Sequence, residues 1–122
     1  MGFGCSLVDV GYMIVMALNP TDRRKYEVQL HRQHWESLCT SKHVNAETYT
    51  EEISFLLYKI FAATKMFYLI DLMSNLMADG RLDDVYIPGL VMTRLTDFVD
   101  DHGTPKENYN RVLSLLGEEL LK

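Results

Sequence analysis

The chain has 122 residues, the usual length of one domain, with a hydrophobic share of 48% and a charged share of 24%. These values exclude a largely disordered chain and predict a single domain over residues 1–122, with a core that needs no disulfide bridges. Residues 66–122 hold ten acids and five bases, whereas 1–65 hold seven of each, so the net charge of −5 lies in the second half. This acidity argues against a nucleic-acid partner, because phosphate binding rests on Lys and Arg clusters.

The compartment is predicted from the cysteines and the apolar segments. Cys5 and Cys39 are too few for a disulfide framework and suit a reducing environment, although one bridge between them stays open. Residues 7–18 are apolar, but no Lys or Arg precedes them and Asp9 interrupts them, which is a poor secretory signal. The most hydrophobic stretch, 55–77, contains three charged residues, which disfavours a membrane span. We therefore expect a cytoplasmic protein that does not bind a membrane.

Two helices are predicted before residue 41. Apolar residues over about 5–18 predict the first. The sequence Asn19-Pro20-Thr21-Asp22 then separates two elements, because proline disfavours a helical residue before it and its polar neighbours can cap a new helix. An amphipathic helix over about 21–40 follows. Its only basic run, Arg23-Arg24-Lys25, is interpreted as a solvated helix face.

A long central helix is predicted over about 46–78. Thr48 and Glu51 fit a capping box at its start. Its polar residues fall on one narrow line that includes Ser54 and Tyr58, and nearly all the others are apolar. A helix that is apolar almost all round is typical of an element that is buried almost all round.

Two more helices complete the predicted fold. Ala78-Asp79-Gly80 ends the central helix, and Asp83 or Asp84 can cap the next one, which ends near His102-Gly103. The sequence Thr104-Pro105-Lys106-Glu107 is a strong start signal for the last helix. Strand signals are absent. The sequence thus predicts an all-α fold, a single-domain bundle of about five helices around the central helix.

One face of the second helix carries candidate metal ligands. Glu27, His31 and His34 lie on this face, and imidazoles with a carboxylate at that spacing can meet on one metal ion. Cys39 and His43 extend the pattern to His-x2-His-x4-Cys-x3-His, but the segment lacks the glycines of a zinc knuckle. The competing interpretation is an ordinary polar helix face. A metal-binding bundle therefore stands as an alternative to a protein that needs no cofactor.

The N-terminus carries a possible acylation pattern. Gly2 and Ser6 fit the spacing for N-myristoylation, and Cys5 is placed for a second acyl chain. Two acyl chains would anchor a protein stably to a membrane, whereas one acyl chain would not. The bulky Phe3 directly after the glycine argues against this pattern. A lipid-anchored regulator is the second alternative.

Two charged residues of the central helix, Lys59 and Asp71, lie off its polar line. They are too far apart along one helix to pair with each other. A buried charge needs a partner, so the sequence predicts a cross-helix ion pair or a local route to water for each of them. A functional amine or carboxylate, or an interface with a partner, is the alternative.

No standard enzyme motif is present: the chain has no phosphate-binding glycine loop, no Gly-x-Ser-x-Gly, no His-Glu-x-x-His and no paired Glu-x-x-His. The first helix carries more apolar residues than one contact within a small bundle needs, which is typical of an interface. The leading hypothesis is therefore a non-enzymatic protein–protein interaction module, namely a small acidic helical adaptor, inhibitor or assembly subunit, with a protein partner or a second copy. The predicted interface comprises Val8, Met13, Ile14, Met16, Asp97, Asp100 and Asp101.

Overall fold

The computed structural model describes residues 3–41, 44–81 and 86–120, with side chains from Leu7 to Glu118. These residues contain helices and no strand, so the predicted all-α fold is confirmed. The helices are α1 (Phe3–Ala17), α2 (Pro20–Ser41), α3 (Glu51–Ala78), α4 (Tyr86–His102) and α5 (Pro105–Leu120).

Three of the predicted helix boundaries match the structure because local chemistry sets them. The backbone N–H of Asp22 donates to Asn19 Oδ1 at 2.9 Å, which caps α2. Thr104 and Glu107 form the predicted capping box at α5, with two reciprocal hydrogen bonds of 3.2 Å. Gly80 ends α3 with a φ of 71°, a conformation that glycine adopts without a steric penalty.

Helix α3 begins at Glu51, five residues later than predicted. Asn45 starts a turn, and its carbonyl oxygen accepts hydrogen bonds from the N–H groups of Thr48 and Tyr49. The cap is Thr50, whose side chain accepts from the N–H of Ile53. The predicted capping box at Thr48 and Glu51 is therefore wrong, because the turn takes up the residues before Thr50. The predicted caps of α4, Asp83 and Asp84, lie outside the described residues.

Helix α3 packs against each of the other four helices, and its first half forms the middle of the core. At its crossing with α1, a Cβ added to Gly11 would lie 3.1 Å from the Cβ of Ala62 and 3.3 Å from the Tyr58 ring. Glycine therefore lets the two helices approach closely. The buried core cluster consists of Leu7, Ile14, Val15, Tyr58, Ala62, Ala63, Met66, Val91, Leu95 and Phe98.

The second half of α3 is exposed on its outer side, so the prediction of a nearly fully buried helix is wrong there. Phe67 is 50% exposed and Tyr68 62%, and Leu72 is exposed as well. On the inner side of the same turns, Met66 is buried and Ile70 packs against the core. The difference arises because the surrounding helices cover one side of these turns and leave the other to solvent.

By length and composition alone, α3 could also cross a membrane. It has 28 residues, and its most apolar window has a mean hydropathy of 1.5, of which 33% is buried inside the bundle. The core helix of a soluble protein meets the same criterion, so the hydropathy of α3 is weak evidence for a membrane.

Candidate functional site

A polar face of α2 points into the protein. Arg23 is 1% exposed, Glu27 4% and His31 0%, and the three are spaced four residues apart on one face of the helix. The interpretation of Arg23-Arg24-Lys25 as a solvated face is therefore wrong for Arg23. A buried guanidinium is tolerated there because anionic partners from two helices surround it.

Glu27 lies at the centre of this buried network. Its Oε1 accepts a hydrogen bond from Arg23 Nη1 at 3.0 Å and lies 2.6 Å from His102 Nε2, at the end of α4. Its Oε2 accepts a hydrogen bond of 2.8 Å from the hydroxyl of Tyr58 on α3. Both carboxylate oxygens are thus engaged, and one side chain joins three helices.

The network reaches the surface at Asp101. This carboxylate pairs with Arg23 Nη2 and accepts a hydrogen bond of 2.7 Å from Arg24 Nε. The guanidinium carbon of Arg23 lies 5.3 Å from the ring centroid of Phe98, so a ring flanks the buried cation. Of the predicted acidic interface, Asp101 is thus held by two arginines of its own chain. Asp97 is half-buried and Asp100 is exposed.

The electrostatics of the network follow from burial and from these partners. Burial works to raise the pKa of Glu27, but the hydrogen bond and charge of His102, the Tyr58 hydroxyl and Arg23 outweigh it, so this pKa is lowered. The pKa of Tyr58 is raised, first by burial and then by the neighbouring negative charge of Glu27. Glu27 is therefore ionised and Tyr58 is a neutral donor at physiological pH.

A second buried cluster surrounds His31. Its Nε2 lies 2.8 Å from Ser54 Oγ, and the hydroxyl of Tyr49 donates to the same oxygen at 2.8 Å. Burial is the main cause that lowers the pKa of His31 to about 4. A serine beside a histidine can act as a nucleophile with its base. His31 and Ser54 are both 0% exposed, however, so neither side chain contacts solvent.

The candidate metal ligands do not converge. Among the described residues, no group of three or more His, Cys, Asp or Glu side chains could hold a metal ion. Glu27 has both oxygens engaged, and His31 faces Ser54. His34 is half-buried, and burial lowers its pKa. Cys39 has a free, half-buried thiol, while His43 lies outside the described residues.

An apolar groove of about 490 Å³ runs between α1 and α2. It contains two residues of the predicted interface, Met13 and Ile14. Met13 is 64% exposed, whereas Ile14 is 6% exposed and also belongs to the core. Val8 and Met16 are half-buried outside the groove. The groove is lined by Val10, Met13, Ile14, Ala17, Leu18, Leu30, Gln33, His34 and Ser37.

The α2 side of this groove was not predicted from the sequence. Leu30 is 37% exposed on the outer part of a helix whose inner face is polar. A large apolar residue away from the buried side of its helix indicates an interaction surface, since it contacts solvent unless a partner covers it. Gly2 and the side chain of Cys5, the predicted acylation sites, lie outside the described part of the chain.

The lysine and aspartate that the sequence placed off the polar line of α3 lie in different surroundings. The Nζ of Lys59 lies 5.1 Å from the ring centroid of Phe55, and burial lowers the pKa of this lysine. Asp71 is exposed, because it lies on the outer side of the second half of α3.

Comparison with known proteins gives no match to a family model, to a curated protein or to a solved structure.

Proposed function

We propose that the chain is a non-enzymatic protein–protein interaction module that binds an amphipathic helix of a partner protein in the groove between α1 and α2. The observation that carries the proposal is the 64% exposure of Met13 in a groove whose α1 wall is entirely apolar and whose α2 wall contributes the exposed Leu30. Apolar side chains that line an open groove are stabilised when another apolar surface covers them. Methionine adapts its shape readily to such a surface.

A helix fits the dimensions of the groove. Its α1 side runs from Val10 to Leu18, about 12 Å at the helical rise of 1.5 Å per residue, which is roughly two turns. Two such turns present apolar residues at i, i+3 or i+4, and i+7, the pattern that fills a groove between two helices. Gln33 and Ser37 supply polar groups at the α2 side, where they can bond the polar edge of a bound helix.

The charge of the protein favours a basic partner. The groove lining contains no Asp, Glu, Lys or Arg, so apolar contact supplies the affinity there. The net charge of −5 lies in residues 66–122 and not in the helices that form the groove, but at a distance it attracts cationic segments to the molecule and speeds their association. The partner helix is therefore apolar on one face and carries Lys or Arg on the other.

The test uses a synthetic helical peptide of leucine and lysine as the probe, titrated into the labelled protein and followed by fluorescence anisotropy. We expect saturable one-to-one binding that Met13→Glu weakens by about tenfold or more, because a carboxylate would be buried in the groove. Met92→Glu is the matched control, since Met92 is 51% exposed on α4, away from the groove. Equal weakening by both substitutions, or no saturable binding, would refute the proposal.

Native mass spectrometry of the protein purified from its own source provides a second measurement. A partner polypeptide at fixed stoichiometry that is lost with Met13→Glu and retained with Met92→Glu agrees with the groove. A partner that survives Met13→Glu unchanged binds elsewhere and contradicts the proposed site.

A further inference from the structure

The outer side of the second half of α3 carries a second exposed apolar surface, separate from the groove. Phe67 is 50% exposed, Tyr68 62% and Leu72 42%. An aromatic side chain presents 150–250 Å² in full, so the two rings alone expose roughly 200 Å². That area is the size of the apolar centre of a modest interface, which buries about 800 Å² on each partner.

The charges around Tyr68 are arranged symmetrically. Lys65 lies three residues before it and Asp71 three residues after it. Residues six apart lie about 120° from each other around a helix, so these two charges flank Tyr68 on the same exposed face and do not pair with each other. Within the described part of the chain neither one forms an ion pair, and Lys65 Nζ lies 5.7 Å from the ring centroid of Tyr12.

We infer that two copies of the chain pair through the outer face of α3, with the helices antiparallel and Tyr68 near the two-fold axis. In that arrangement a residue three positions before Tyr68 faces the residue three positions after it on the other copy. Lys65 of each copy then faces Asp71 of the other, and the two rings of Tyr68 meet between these pairs. A two-fold axis makes each contact occur twice, so one complementary pair of charges yields two bridges.

The charge pattern identifies a second copy as the occupant. Another protein would have to carry an acid and a base at the matching spacing, whereas an antiparallel copy of α3 does so by symmetry. A membrane surface would place the exposed Asp71 against lipid, which is costly for a carboxylate. The area is small, so we expect a weak dimer with a Kd on the order of 1–100 µM.

Charge reversal with trans complementation tests this arrangement by sedimentation velocity over a range of concentrations. With Lys65→Asp, positions 65 and 71 of each copy are both acidic. With Asp71→Lys, both positions are basic. We expect each variant alone to dimerise about tenfold more weakly or worse, because like charges then face each other. An equimolar mixture is expected to form a heterodimer at least as tight as the native dimer, since both of its bridges are restored.

Lys106→Asp, which reverses an exposed charge on α5, is the matched control and is expected to leave the dimer unchanged. Circular dichroism of each variant establishes that it is folded. A native chain that remains monomeric at about 1 mM overturns the inference, as does a mixture that dimerises no better than its components. A monomer that floats with neutral phosphatidylcholine vesicles overturns it in favour of a membrane surface. The groove variants Met13→Glu and Met92→Glu leave this dimer unchanged, so the two surfaces are tested separately.

Discussion

The hydroxyl of Tyr58 on α3 donates a hydrogen bond of 2.8 Å to Glu27 on α2, and both side chains lie in the interior. An ionised carboxylate in such a place is stable only while each of its oxygens has a partner. The contacts that hold α2 in the bundle are thus largely polar.

Removal of the Tyr58 hydroxyl should destabilise the protein. We expect Tyr58→Phe to lower the free energy of unfolding by about 1–3 kcal/mol, because one oxygen of a buried charged group loses its donor. Urea denaturation followed by circular dichroism measures this change. Tyr109→Phe is the control, since Tyr109 is 54% exposed and its change should stay within about 0.5 kcal/mol. Equal effects at the two positions would contradict the role given to the buried bond.

The stability of the protein should depend on pH through His31. Burial lowers its pKa from 6.5 to about 4, so between these values the unfolded chain binds a proton that the folded chain does not. The contribution of neutral His31 to the free energy of unfolding is therefore complete above about pH 6.5. It falls as the pH decreases and is lost below about pH 4. The loss in the free energy of unfolding is on the order of 3 kcal/mol, because each pKa unit corresponds to about 1.4 kcal/mol.

A non-titrating variant isolates this contribution. His31→Gln is expected to be less stable at neutral pH and to show a flatter stability profile between about pH 6.5 and 4. The lowered pKa of Glu27 adds a further loss of stability at the acid end, which both proteins share. Parallel profiles for the native chain and the variant would show that His31 does not titrate with the fold.

Glycine to alanine substitutions should affect stability differently at two helical positions. Gly89 on α4 has open space around it, so Gly89→Ala should stabilise the protein by about 0.5–1 kcal/mol through helix propensity. Gly11→Ala should gain less or nothing, because its Cβ meets Ala62 at 3.1 Å. Gly11→Leu should destabilise by about 1–3 kcal/mol or more. Thermal melting gives the order of stability of the three variants. A Gly11→Leu variant that melts above the native chain would contradict the close crossing of α1 and α3.

The start of α3 can be tested with two threonines. Thr50→Ala should lower the free energy of unfolding by about 1 kcal/mol, because the Thr50 side chain caps the helix. Thr48→Ala should cost less, since the Thr48 hydroxyl only donates within an exposed turn, at 3.2 Å to the Asn45 carbonyl. Chemical denaturation decides between them. A larger cost at Thr48 would restore the capping box that the sequence predicts.

Metal addition provides a further test of the α2 face. We expect the melting temperature to stay the same in zinc and in EDTA, because Arg23, Tyr58 and His102 engage both oxygens of Glu27. Differential scanning calorimetry makes the measurement. A rise in zinc that disappears with His31→Ala would establish the metal-binding alternative.

The helix order could be predicted because helix ends depend on neighbours in the sequence. Asn19 caps α2 through a residue three positions away, and Thr104 does the same for α5. The buried network could not be predicted in this way. Glu27 meets Tyr58 and His102, which lie 31 and 75 positions away. The sequence pattern did place Glu27 and His31 on one face, but it could not show that this face points inward.

The groove and the exposed half of α3 were missed for a related reason. The sequence identifies Leu30 and Tyr68 as large apolar side chains on helices, but exposure depends on how far the neighbouring helices extend. Met13 was predicted at an interface because α1 has more apolar residues than one contact requires, and the binding role given to it remains a prediction.

The polar inner face of α2 has a consequence for motion. No residue of α2 belongs to the apolar cluster that α1, α3 and α4 build, and Leu38 is its only buried hydrophobic side chain. Separation of α2 from the bundle would therefore expose less apolar surface than separation of α1 or α4. Local opening of α2 should therefore be easier than opening of α1 or α4, and its amide protons should exchange with deuterated solvent sooner than those in the first half of α3. Because α2 forms one wall of the groove, the same opening would widen the groove before the rest of the protein unfolds.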